Sequence, residues 1–184
     1  MTKNNIKSLT ISALFLALGF ILPMLTGQVP VIGKMLLPMH IPVLLCGFIC
    51  GPKHGATIGF TLPLMRSLIF SVPVMYPTAI AVAFEMSVYG LLTGLLYNHS
   101  QKKSAKRLYF TMLSAMILGR VVRCIAEIIL LGIKGSPFVL KAFITGTILN
   151  AIPGIVIQLV LIPAIVIISE RVGALKIEKT KNFQ

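Results

Sequence analysis

The chain has 184 residues, of which 57% are hydrophobic and 11% charged, and its mean hydropathy is +0.96. That composition excludes an ordinary soluble domain and fits an all-α integral membrane protein. The net charge of +13 would suit a nucleic-acid partner, but the basic residues sit at the ends of apolar runs and no basic stripe is interleaved with aromatics, which excludes that class.

At about 30 residues per span plus loop, the length allows roughly six spans and no separate soluble domain. Residues 1–184 are therefore expected to form one six-helix membrane domain with a basic tail from about residue 171. After the polar start, residues 8–25 form the first apolar run. Lys3 and Lys7 precede it as they would in a signal peptide, but the small-residue cleavage pattern is poor, so an uncleaved span is expected. Ala13 and Ala17 lie four apart on one helical face, a spacing that lets another helix approach closely. Residues 26–36 contain Gly27, Pro30, Gly33 and Lys34 and read as a loop. Their spacing is one residue too long for a phosphate-binding loop, and Met35 stands where Ser or Thr is needed.

The second span is short, residues 37–51, and a tight turn at Pro52, Lys53 and His54 leads to the third, residues 55–70. Gly47, Gly51, Gly55 and Gly59 recur every four residues across that turn, so they are expected to line two closely packed helices. Pro63 is expected to kink the third span, with Arg66 just beyond it. Residues 71–77 (Ser-Val-Pro-Val-Met-Tyr-Pro) read as a stiff loop bounded by proline. The fourth span, residues 78–97, carries Glu85 and Tyr89. A polar loop with Lys102, Lys103, Lys106 and Arg107 follows. The sixth span, residues 139–168, contains Asn150, Pro153, Gln158 and Pro163.

The fifth span, residues 108–131, holds the most informative stretch, Gly-Arg-Val-Val-Arg-Cys-Ile-Ala-Glu at 119–127. Arg120, Arg123 and Glu127 share one side of a helix at 3.6 residues per turn. Charges inside a span are costly, so they face a protein interior or an aqueous cavity and mark a site. An Arg123–Glu127 pair that merely locks two helices is the plainer alternative.

Lys and Arg cluster at one set of span ends, which predicts six spans with both termini cytoplasmic. On that topology Arg66, Glu85, Arg123, Glu127 and His40 fall in the outer half, with Arg120 near mid-membrane and Asn150 about three turns down the sixth span. An ion path would string polar groups through both halves, so an outward pocket for a polar small molecule fits better. Three arginines against two glutamates leave one positive charge, which a carboxylate or phosphate would balance. His40 reads more simply as a structural histidine. Cys46, Cys50 and Cys124 lack partners at metal-ligand spacing and read as packing residues; no metal or cofactor is expected.

The stretch Leu37-Pro-Met-His-Ile-Pro-Val-Leu-Leu-Cys-Gly-Phe-Ile-Cys-Gly-Pro52, with Gly55 and Pro63-Leu-Met-Arg66, resembles the substrate-binding (S) components of energy-coupling factor (ECF) vitamin transporters. Pro77-Thr-Ala-Ile-Ala-Val-Ala-Phe-Glu85, Tyr89-Gly-Leu-Leu-Thr-Gly94 and Leu149-Asn-Ala-Ile-Pro-Gly154 carry the same resemblance, nearest to the pantothenate- and folate-type group. The resemblance implies a six-helix cell-membrane protein that binds a vitamin and is not an enzyme. It implies partners, namely a transmembrane coupling protein and two cytoplasmic ATPases. Ala13 and Ala17 match the family's docking motif, and the loops at 26–36 and 71–77 match the loops that cap its pocket. The charge excess is compatible with pantothenate, and also with folate, a pyridoxine-type compound or flavin phosphate. The missing Trp places thiamin lower. Two other classes stay open. A self-sufficient secondary transporter would show internal repeats, of which none is clear. An intramembrane enzyme would want clustered carboxylates or a His/acid metal set, whereas the acids here are isolated.

Overall fold

A computed structural model describes residues 3–25, 35–98 and 104–171. Most of the predicted loop at 26–36, the lysines Lys102 and Lys103, and the basic tail lie outside the described residues. The described chain is all-α. Six helices have eleven residues or more: α1 (Lys3–Leu25), α2 (His40–Cys50), α3 (Pro52–Phe70), α4 (Ile80–Asn98), α5 (Ala105–Ile133) and α7 (Ile152–Arg171). A short α6 (Leu140–Ile144) precedes α7.

Among the described residues, three helical segments rather than six are long and apolar enough to cross a membrane: Ile6–Met24, Met75–Tyr97 and Leu140–Glu170. The expectation of six transmembrane helices is corrected accordingly. α2 has 11 residues, and at 1.5 Å per residue it covers roughly half of a ~30 Å hydrocarbon core. α3 has the length but carries Lys53, His54 and Arg66. α5 is longer still and carries Lys106, Arg107, Arg120, Arg123 and Glu127. The placement of both termini on the cytoplasmic side came from the Lys and Arg distribution over six spans, and it loses that six-span basis. The shortness of α2 and the charges within α3 and α5 account for the difference.

Other boundaries move for local reasons. Pro52 opens α3 at its first turn, where a missing N–H costs nothing, so the expected turn at 52–54 is already helix. The break falls at Gly51, whose φ of 91° suits glycine. The loop after α3 is shorter than expected, because Met75–Ala79, kinked at Tyr76 (φ −119°, ψ 128°), leads straight into α4. The expected last span is not continuous: α6 passes into a π-helical turn at Thr145–Leu149, and α7 restarts beside Pro153. α3 runs through Pro63, and α7 through Pro163.

α4 is the central helix. It packs on α3 most extensively, then on α5 and α2, while α1 covers α2 and α3, and α7 touches α2 and α5. Glycines permit the closest contacts. A Cβ on Gly90 would sit 2.2 Å from the Gly55 backbone, and one on Gly55 would sit 2.7 Å from Gly47 Cα. The four-residue glycine pattern thus joins separate helices, and Gly90 and Gly94 of α4 complete it. The burial pattern inverts that of a soluble protein. Leu68, Ile117, Ile129 and Val160 are exposed, whereas Glu85, Arg66 and His40 are buried.

Candidate functional site

One end of the bundle brings together the C-terminal ends of α1, α3 and α5 with the N-terminal ends of α2, α4 and α6. Between them lies a cavity of about 610 Å³. Its wall is mostly apolar, with Val82, Leu131, Phe138 and Phe143 among its members. The charged side chains in the wall are Arg66, Arg123 and Glu127, joined by the imidazole of His40.

Behind the wall a buried ionic cluster is centred on Glu85, which is fully excluded from solvent. Arg120 Nε lies 3.2 Å from its Oε1, and Arg123 Nη1 lies 3.1 Å from its Oε2. The Tyr89 hydroxyl donates to Oε1 at 2.9 Å. His40 Nε2 stands 4.0 Å from the same oxygen, and its ring meets the Tyr89 ring edge-on at 5.5 Å. Arg123 Nε also donates to Glu127 Oε1 at 3.0 Å, so this arginine bridges two carboxylates. The expected Arg123–Glu127 pair is present, but it is one edge of a larger network spanning α2, α4 and α5.

Helix geometry explains the convergence. Glu85 and Tyr89 are one turn apart on α4, and Arg120, Arg123 and Glu127 share one side of α5. Gly119 lets these two helices approach: a Cβ there would lie 2.1 Å from the Tyr89 ring. Each charge is expensive to bury alone and acceptable as a hydrogen-bonded group. Two glutamates balance Arg120 and Arg123.

Arg66 is different. It is 2% exposed, with no carboxylate partner among the described residues. Its Nη1 donates to the Phe20 carbonyl at 3.0 Å, its guanidinium lies 5.2 Å from the Phe70 ring centroid, and its Nε has no hydrogen-bond partner. Cation–π contact and one carbonyl offset only part of the cost of burying that charge.

The expected site residues therefore divide. Arg66, His40, Arg123 and Glu127 line the cavity, while Glu85 and Arg120 support it from behind. Asn150 is exposed and lies outside the cavity wall, so the structure does not bring it to the site. It lies between the π-helical turn at Thr145–Leu149 and the start of α7. Ala13 and Ala17 are exposed on α1. Sequence reasoning missed Tyr89 as a member of the network; its position four residues after Glu85 was the available signal. It also missed the apolar wall, because those residues are scattered along the chain without a motif. The loop at 71–77 does line the cavity, through Ser71, Val72, Pro73 and Val74, and the Tyr76 hydroxyl donates to the Leu130 carbonyl and ties the loop to α5. Among the described residues, no group of three or more His, Cys, Asp or Glu side chains is placed to hold a metal ion.

Comparison with known families decides the broad identity. The family described as "ECF transporter, substrate-specific component" matches residues 7–166, most of the chain. The chain belongs to that family. Searches among curated proteins and among solved structures gave no match. An ECF substrate-specific component is a non-catalytic membrane subunit of an ABC-type importer, and the family works with a transmembrane coupling protein and ATPase subunits.

Proposed function

We propose that this S component is the high-affinity subunit for a water-soluble vitamin or related micronutrient carrying one negative charge. Pantothenate, a small monocarboxylate, is the first candidate. The observation that carries the reading is the charge of the cavity: Arg66, Arg123 and Glu127 line it, Glu85 and Arg120 cancel behind it, and one positive charge is left over. The volume of about 610 Å³ lies within the roughly 300–1,000 Å³ of small-molecule sites, and an apolar wall with few polar groups is usual for them.

The cavity end of the bundle is assigned to the outside of the cell membrane. Lys7, Lys53, Lys106 and Arg107 lie at the opposite helix ends, where the positive-inside rule places cytoplasm. Docking on the coupling protein and two cytoplasmic ATPases is assigned to the α1 face with Ala13 and Ala17, whose exposure leaves the face open to another helix. Calorimetric titration of the detergent-solubilised protein with pantothenate, folate, pyridoxine, flavin mononucleotide and thiamin tests the binding reading. A single saturable site for one of the anions supports it, and silence across the panel refutes it. Uptake that persists in cells lacking the ATPases would refute the importer reading in favour of a self-sufficient transporter.

A further inference from the structure

The polar atoms of the cavity wall differ in whether the protein already satisfies them. Glu85 is saturated by two arginines and a tyrosine hydroxyl. Arg123 is engaged through both Nη1 and Nε. Two wall residues stand apart. His40 is 2% exposed, and among the described residues neither Nδ1 nor Nε2 has a partner at hydrogen-bond distance, Glu85 Oε1 standing 4.0 Å from Nε2. Arg66 is equally buried, and its Nε has no hydrogen-bond partner among the described residues. Buried polar groups are almost always hydrogen-bonded, and exceptions call for an explanation. Both residues line the same cavity.

We infer that the substrate is held at two chemically different points: an anionic group on the Arg66 guanidinium, and a neutral hydroxyl, amide or carbonyl on the His40 imidazole. The inference rests on the reading of the cavity as the substrate site and specifies the ligand class further. The guanidinium presents a planar fork that matches a carboxylate or phosphate and is already braced from behind by the Phe20 carbonyl and the Phe70 ring. The imidazole cannot swing freely, because Tyr89 packs against its edge and Glu85 Oε1 stands 4.0 Å from Nε2. A neutral imidazole offers one donor and one acceptor, so either polarity of a neutral ligand group is accepted. In this scheme Glu85 and Arg120 never touch substrate. They are positioning residues that hold Arg123 and the wall in place.

The scheme selects against two kinds of molecule. A neutral or cationic ligand leaves the Arg66 charge buried and uncompensated. An anion without a second polar group, such as a simple fatty acid, leaves His40 unsatisfied. Selectivity of this sort is strong, because the penalty falls on a buried protein group left without a partner.

The test is calorimetric titration of the whole protein in detergent with pantothenate, pantothenol (the same molecule with its carboxylate reduced to an alcohol), folate, flavin mononucleotide, riboflavin, thiamin and octanoate. Wild type, Arg66→Gln, His40→Gln and His40→Phe are compared, each checked for an unchanged elution profile in size-exclusion chromatography. The expected result is one binder among the hydroxylated or amide-bearing anions. Its affinity should fall about tenfold or more in Arg66→Gln, the loss expected for a charge-assisted hydrogen bond. The fall should be similar in His40→Phe and smaller in His40→Gln, which keeps a hydrogen-bonding group. Three results overturn the inference while leaving a vitamin-binding subunit intact: the binder is riboflavin or thiamin, the anion binds Arg66→Gln as tightly as wild type, or His40→Phe binds as tightly as wild type. Tight binding of octanoate overturns the second anchor. Absence of binding by every compound overturns both the inference and the vitamin reading.

Discussion

Replacing Glu85 by Gln should destabilise the fold more than any other single charge removal in the bundle. Glu85 is fully buried and supplies the carboxylate partner of Arg120, whose side chain is 12% exposed. Glutamine preserves the shape and an acceptor for the Tyr89 hydroxyl, but it removes the charge. Arg120 is then left in the bundle with no carboxylate among the described residues, while Arg123 keeps Glu127. Breaking one side of a buried ion pair costs about 3–5 kcal/mol. At about 2–4 °C per kcal/mol for a domain of this size, the melting temperature should drop by roughly 10 °C. Glu127→Gln is the control: Arg123 retains Glu85, so the drop should be less than half as large. Unfolding is followed in detergent with a thiol-reactive fluorophore that reports exposure of the buried Cys46 and Cys50, in a Cys124→Ser background because Cys124 is half-buried. The double variant Glu85→Gln, Arg120→Gln should recover much of the loss, since the stranded charge is removed with its partner. Equal shifts for Glu85→Gln and Glu127→Gln, or no recovery in the double variant, would refute the network as drawn.

Gly90→Ala should destabilise through overpacking, by about 1–3 kcal/mol or more, because its Cβ would meet the Gly55 backbone at 2.2 Å. Gly146→Ala, with nothing within 4 Å of its Cβ, should leave the melting temperature unchanged. Tyr76→Phe removes the hydroxyl that ties the cavity loop to α5; it should speed ligand release, by up to about tenfold for a hydrogen bond of ordinary strength, measured by washing out a radiolabelled ligand. Ala13→Leu or Ala17→Leu should abolish co-purification with the coupling protein and leave ligand affinity unchanged, since these exposed α1 positions are not in the cavity wall.

Much of the site was legible in the sequence because charge inside an apolar run has few physical explanations. Arg66, Arg123 and Glu127 were singled out on that ground and line the cavity; His40, which the sequence reads more simply as a structural histidine, lines it too. The spacing of Arg120, Arg123 and Glu127 also gave their common helical side without further information. What spacing could not give was the partner across a helix interface. Glu85 was grouped with the pocket residues, but three-dimensional packing places it behind the wall, satisfied by α5 and Tyr89. Asn150, placed by depth along the last span, lies outside the cavity wall, because depth alone does not say which side of the helix faces the cavity. The count of membrane spans failed where hydropathy and length disagree. α2 is apolar but short, and α5 is long but carries the site's own charges.

The most direct test of a vitamin-binding cavity at this end of the bundle is mass spectrometry of the small molecules that co-purify with the protein, compared with Gly146→Phe. Gly146 lines the cavity, and nothing lies within 4 Å of a Cβ placed there, so a phenyl ring can be added at the wall without colliding with the backbone. The account predicts about one anionic vitamin per wild-type chain, its loss in Gly146→Phe, and its retention in Gly146→Ala. A vitamin retained at the same ratio in Gly146→Phe would place binding elsewhere and contradict the account.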